Sequence, residues 1–193
     1  MHLPDKYPDN DSCIEFALRS LDQLATKPEI VSAAFGTGLP QFGSQYARLN
    51  IEGQSTDPAT EWPWVQVVSA TPDYFETIGN TRLRGRHLNE HDRKDGQRVA
   101  VVTERFVSQH FSNQDPIGQT IKLVQNDYRE RHEIVGVTRD MKWSGIAGES
   151  VALVFVPYVQ FPTSEHPKVV VRVRPGAKNP GAIVAQAIQA VDA

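Results

Sequence analysis

Residues 67–86 read VVSATPDYFETIGNTRLRGR. Val67 and Val68 close an apolar, β-branched run and predict the end of a strand. Thr71 stands where a helix N-cap would, and Pro72 suits the first turn, where a missing N–H costs nothing. Tyr74, Phe75 and Ile78 form an apolar stripe one turn long, and Gly79 falls where a left-handed C-cap belongs. A basic turn, Arg82 to Arg86, follows. Strand, short capped helix and glycine stop within one stretch predict a mixed chain whose helices must cover a sheet.

The flanks extend this pattern. Asp11 or Ser12 can cap a first helix carrying Ile14, Ala17, Leu18, Leu21 and Leu24 at helical spacing, with Lys27-Pro28 as its stop. Residues 30–35 predict a buried strand. Ala47, Leu49 and Ile51 alternate with Arg48, Asn50 and Glu52 in a half-exposed one. Residues 54–61, polar and carrying Pro58, predict a loop. Trp62-Pro63-Trp64 then re-enters the sheet, and burial of at least one ring is expected. Downstream, residues 99–102 predict a strand and Thr103 a helix cap before Phe106, Val107, His110 and Phe111. Asp115-Pro116-Ile117-Gly118 fits a type I turn. Residues 121–123 and 133–137 predict two strands whose connecting tip, with Arg129, Glu130, Arg131 and His132, is expected in solvent. Residues 151–156 and 169–173 are further strands, and Asn179-Pro180 opens a last helix. The fold class is α+β, with about three helices and seven or eight strands.

Composition narrows the function. A chain of 193 residues with 39% hydrophobic and 22% charged residues can bury a core, and a net charge of −3 gives no electrostatic case for nucleic acid. No apolar run reaches the roughly 20 residues that span a bilayer, and the first residues lack a signal-peptide pattern. Both ends suit an excised piece of a longer protein at least as well as a complete one. The single cysteine, Cys13, excludes an internal disulfide and reads as a packed residue.

Candidate chemistry is sparse. The glycines of GTGLPQFG, residues 36–43, match neither the dinucleotide fingerprint nor the Walker loop, and a strand follows where a helix would have to start. His87, Glu90, His91 and Asp92 suggest metal ligands, but no third ligand, open position or supporting shell accompanies the histidines, so a solvated turn is expected. His110 is expected as a packed or rim histidine. No catalytic, cofactor-binding or metal residue is assigned. Leu39, Pro40, Gln41 and Phe42, apolar residues in a glycine-bounded loop, are the candidate partner-binding surface.

Residues 67–86, with their Thr-Pro-x-Tyr-Phe-x-Thr-x-Gly core and Gly-Arg turn, resemble the periplasmic core domain of ABC-transporter permeases of the macrolide-export and FtsX-like class. VAVVTERFVSQHF, DPIGQTIKL, HEIVGVTRDMKWSGI and the strand ending in VPY follow in the family's order. The chain departs from it at three places: Asn80-Thr81-Arg82 replaces an apolar-Pro-apolar stretch, Phe155 a tyrosine, and Thr138-Arg139 a Val-Gly pair. The resemblance implies a porter-like subdomain from residues 1–77 and 162–193, and an inserted, Sabre-like subdomain from 78–161. It implies a non-enzymatic extracytoplasmic domain, on the periplasmic or extracellular face of the inner membrane, that binds a partner or cargo and relays ATP-driven movement. Its partners would be the flanking transmembrane helices, an ATPase in the cytoplasm, fused or separate, and a periplasmic adaptor or envelope protein. The full-length protein would be a dimer, the isolated domain a monomer. No cofactor is implied. The residues alone leave open a free-standing enzyme, using Asp92 with His91 or Asp140 near Lys142, and a soluble adaptor.

Overall fold

The computed structural model describes residues 9–40, 43–53, 62–112, 114–143, 150–161 and 167–192. In chain order the elements are α1 (Asn10–Ala25), β1 (Ile30–Gly36), β2 (Gln45–Ile51), β3 (Trp64–Ala70), α2 (Tyr74–Ile78), β4 (Arg82–Gly85), β5 (Val99–Thr103) and α3 (Glu104–His110). There follow β6 (Thr120–Gln125), β7 (Tyr128–Thr138), β8 (Leu153–Pro157), β9 (Lys168–Val173) and α4 (Pro180–Asp192). The α+β class holds, with four helices and nine strands among the described residues.

The pairings run β2-β6-β7-β5-β8-β3, and β3 also pairs β2, so six strands close into a ring. Two contacts are parallel, β3 with β8 and β5 with β7; the others are antiparallel. Inside the ring lie Ala47, Leu49, Ile51, Val65, Val67, Ala100, Val102, Ile121, Leu123, Ile134, Val154 and Val156, with Phe106 and Phe111 of the α3 region packed against them. A second cluster covers the outer faces of β3, β5 and β8: Val68, Val101, Leu153 and Phe155 meet Tyr74, Phe75, Leu88 and Trp143. This explains the two kinds of strand in the sequence. β5 and β8 are buried along their whole length and are apolar but for the capping Thr103, whereas β2 has one wet face and alternates.

Outside the ring, β1 and β9 pair antiparallel over six positions, and β1 touches β3 through one ladder pair, Gly36 with Ala70. Two hydroxyls close that seam. Thr37 Oγ1 accepts from Ser69 N at 3.0 Å, and Thr71 Oγ1 accepts from Phe35 N at 2.9 Å. Thr71 therefore does not cap α2 as expected from its position; its hydroxyl is used across the seam, and Asp73 at the N-cap makes no side-chain bond to the helix. Against β1 lies α1, through Ile14, Ala17 and Phe35, and Phe16 of α1 packs with Ile188 and Val191 of α4.

Other local expectations resolve individually. Gly79 adopts the left-handed conformation at φ 74° and ends α2, and Thr103 caps α3. The cap of α1 is Asp9, not Asp11 or Ser12: its Oδ1 accepts from Ser12 N at 2.7 Å, while the Ser12 hydroxyl donates back to the Asp9 carbonyl. The Asp115–Gly118 turn closes one residue later than a type I turn there would. Gln119 N bonds Pro116 O with Gly118 at φ 82°, because Gly118 N–H is taken by Ile134 O of β7. The basic turn contains a strand, β4, antiparallel to the second half of β7. There the two backbones cross so closely that a Cβ on Gly136 would sit 1.9 Å from Arg86 O.

Candidate partner-binding surface

The loop after β1 is anchored at its base. Tyr74 donates its hydroxyl to Gly38 O at 2.7 Å, and Lys168 Nζ donates to Thr37 O at 2.7 Å. Leu39 is half-buried against the second core cluster, and Pro40 is also half-buried. Gln41 and Phe42 lie outside the described residues.

Residues 87–94 form a strap in which Glu90 and His91 lie exposed in a turn, as expected, whereas His87 is half-buried and Asp92 buried. The His87 ring stacks on Phe75, with centroids 4.2 Å apart and planes 12° from parallel. Burial, then the nearby Arg82 charge, holds its pKa below the usual histidine value. The buried Asp92 carboxylate accepts both guanidinium nitrogens of Arg86, at 2.8 and 2.7 Å, and Asn89 N at 2.8 Å. Lys94 reaches Asp11 of α1 at 2.5 Å. Asp92 is thus committed to Arg86, and among the described residues no three His, Cys, Asp or Glu side chains gather as a metal site. Asp140, the other candidate acid, accepts from Arg105 N at the start of α3. Between strap, α1 and the end of β8 lies a cavity of about 320 Å³, lined mainly by apolar groups including Leu18, Leu88, Pro157 and Val159.

The tip of the β6–β7 hairpin also departs from expectation, because His132 is fully buried. Its Nδ1 lies 3.2 Å from the Val99 carbonyl, which can only accept, so Nδ1 carries the proton. Nε2 then accepts from the Tyr128 hydroxyl at 2.7 Å. Tyr128 also lies 3.0 Å from Gln160 O, and the Gln160 amide donates to Arg93 O and Gln97 O. Burial lowers the His132 pKa to about 4. Parity along Tyr128, Glu130, His132 and Ile134 could have revealed this, since Ile134 faces inward. His110 packs on Phe106 as a rim histidine, its ring 4.7 Å away.

Against the expectation of at least one buried ring, neither Trp62 nor Trp64 is fully buried. Trp64 is 59% exposed, Tyr46 on the neighbouring strand 53%, and Trp62 is half-buried. Strand parity is the reason: Val65 and Val67 take the inward positions of β3, which turns Trp64 outward. Arg48 lies 4.3 Å over the Trp64 ring and donates to Trp62 O at 2.8 Å. Lys122 Nζ lies 5.7 Å from the centre of the Trp62 ring.

A family profile described as MacB-like periplasmic core domain matches residues 13–191, nearly the whole chain. The chain belongs to that family. The macrolide export ATP-binding/permease protein MacB of Aggregatibacter actinomycetemcomitans is 31% identical over 85 residues, which are 44% of this chain and 12% of that protein. The periplasmic region of MacB from Actinobacillus actinomycetemcomitans superposes with a TM-score of 0.62 at 17% identity, covering 91% of this chain and 72% of that one. The extracellular domain of the noncanonic ABC-type transporter YknZ, from Gram-positive bacteria, gives 0.60 at 13%, covering 89% and 81%. A domain of a putative permease from Porphyromonas gingivalis gives 0.56 at 15%, covering 81% and 67%. At these identities the structural likeness is one of fold. No described helix of this MacB-like domain is long and apolar enough to cross a membrane.

Proposed function

We propose that this MacB-like periplasmic core domain is a non-enzymatic relay on the extracytoplasmic side of an ABC transporter permease. It would carry ATP-driven movement from flanking membrane helices to a partner or cargo. The observation that supports this reading is the meeting of the chain's two ends in one layer. Phe16 of α1 packs with Ile188 and Val191 of α4, and β1, beneath α1, pairs β9, which precedes α4. Helices entering and leaving such a layer would act on the same rigid body. Two parts are proposed, residues 1–77 with 162–193 and residues 78–161. They share one sheet through the β2–β6 and β3–β8 pairings, so force on the first would reach the second without a hinge. The loop Leu39, Pro40, Gln41 and Phe42 is proposed as the partner contact, since its base is tied to β1, α2 and β9. The ATPase, an adaptor and a dimeric full-length assembly are the partners this role requires.

The test uses the full-length permease reconstituted in nanodiscs with its ATPase. With Cys13→Ser and a donor dye on Lys178→Cys, energy transfer to acceptor lipids should change when ATP is added. Unchanged transfer during ATP turnover would overturn the relay. A photocrosslinker at Pro40 should capture an adaptor or envelope protein with ATP-dependent yield, while one at Lys178 should not.

A further inference from the structure

We propose that the outward face of β2, β3, β6 and the first half of β7 binds an extended acidic protein segment. The registers lay this face out. Trp64, Arg48, Val124 and Arg129 are consecutive partners across the four strands, and Asn50, Lys122 and Arg131 form the next row, beside Trp62. Partners directly opposite point to the same side of a sheet. The inward positions between them are Ala47, Leu49, Ile121 and Leu123. Four cations and two tryptophans thus share one surface of a chain whose net charge is −3. Among the described residues, the acids at its margin are Glu52, 3.6 Å from Arg131, then Glu133, bonded to Gln97, and Asp127 at the hairpin tip.

The arrangement favours a protein strand over a lipid surface. Arg129 and Arg131 are two residues apart on one strand, about 7 Å, the spacing of alternate carboxylates in an extended peptide. Lys122 stands opposite Arg131 on the adjoining strand. The exposed Trp64 ring carries the Arg48 guanidinium over its face. Sinking that ring among acyl chains would drag a cation out of water, whereas against carboxylates ring and cation both gain partners. The cation–ring stack, pinned by the bond to Trp62 O, is already ordered and loses little freedom on binding.

The probe is a fluorescein-labelled (Glu-Thr)8 peptide, read by anisotropy, with (Lys-Thr)8 as control. The acidic peptide should bind, more weakly as salt rises, and the basic one should not. Arg129→Glu/Arg131→Glu should weaken binding at least about tenfold. Arg19→Glu/Lys178→Glu, an equal charge change on exposed residues of α1 and the β9–α4 connection, should change it less than about threefold. Trp64→Ala should cost about tenfold with the salt dependence kept. If the double reversal lowers the melting temperature, Arg129→Glu alone carries the test, with a smaller loss in the same direction. Equal losses from both double reversals would overturn the proposal, leaving only net charge. Sedimentation with phosphatidylglycerol vesicles but no peptide binding would overturn it in favour of lipid. Self-association abolished by the same reversal would assign the face to a second copy.

Discussion

Lowering the pH from 7 to 4 should unload His132 as a stabilising group. Its folded pKa of about 4 lies below the unfolded value of about 6.5. Between these values the unfolded chain holds a proton on this residue that the folded chain refuses, so stability falls as pH falls through the window. The contribution is fully present above pH about 6.5 and gone below about 4. Some 2.5 pH units at 1.36 kcal/mol each give about 3 kcal/mol. The loss is one of solvation and not of hydrogen bonds. Protonated Nε2 can donate to the Tyr128 hydroxyl, which can turn its own proton to Gln160 O. For a chain this long, about 3 kcal/mol is about 6–12 °C in melting temperature. His87 and His110 are also lowered by burial and act in the same direction, so the assay is a difference. Melting curves of wild type and His132→Gln are compared at pH 7, 6, 5 and 4. The wild type should lose about 3 kcal/mol more than the variant. Parallel pH profiles, or an NMR titration placing His132 near 6.5, would refute the reasoning.

Three further outcomes follow from the packing. Asp92→Ala should destabilise by about 2 kcal/mol, because it leaves the half-buried Arg86 guanidinium and Asn89 N without their acceptor; urea denaturation with an unchanged slope checks it. Gly136→Ala should prevent folding or cost about 3 kcal/mol or more, since its Cβ would meet the Arg86 carbonyl where β4 crosses β7; soluble yield and melting temperature measure it. Gly79→Val should cost about 1–2 kcal/mol for a left-handed β-branched residue, whereas Lys178→Ala, on an exposed side chain, should leave the melting temperature within about 2 °C.

Residues 67–79 determined their own local backbone. A β-branched run, a proline, a one-turn apolar stripe and a glycine leave little choice but strand, short helix and left-handed stop, because those preferences arise from sterics within a few residues. The same holds for Thr103 at the head of α3, and for the contrast between alternating β2 and the apolar runs 99–102 and 153–157, which tells how many faces each strand buries. The candidate surfaces were less legible. The motif order pointed to the family, but Trp64 and Tyr46 declared their exposure only once the ring assigned inside and outside. His132 looked like one more charge at a hairpin tip until Val99 O, 33 residues away in number, accepted a hydrogen bond from its Nδ1 and Tyr128 covered its Nε2. Thr71 had the makings of a cap, yet Phe35 claimed its hydroxyl across 36 residues. A polar side chain has several partners of similar strength within reach, and local sequence does not rank them. Ring closure ranks them, by deciding which of those partners lies beside it away from water.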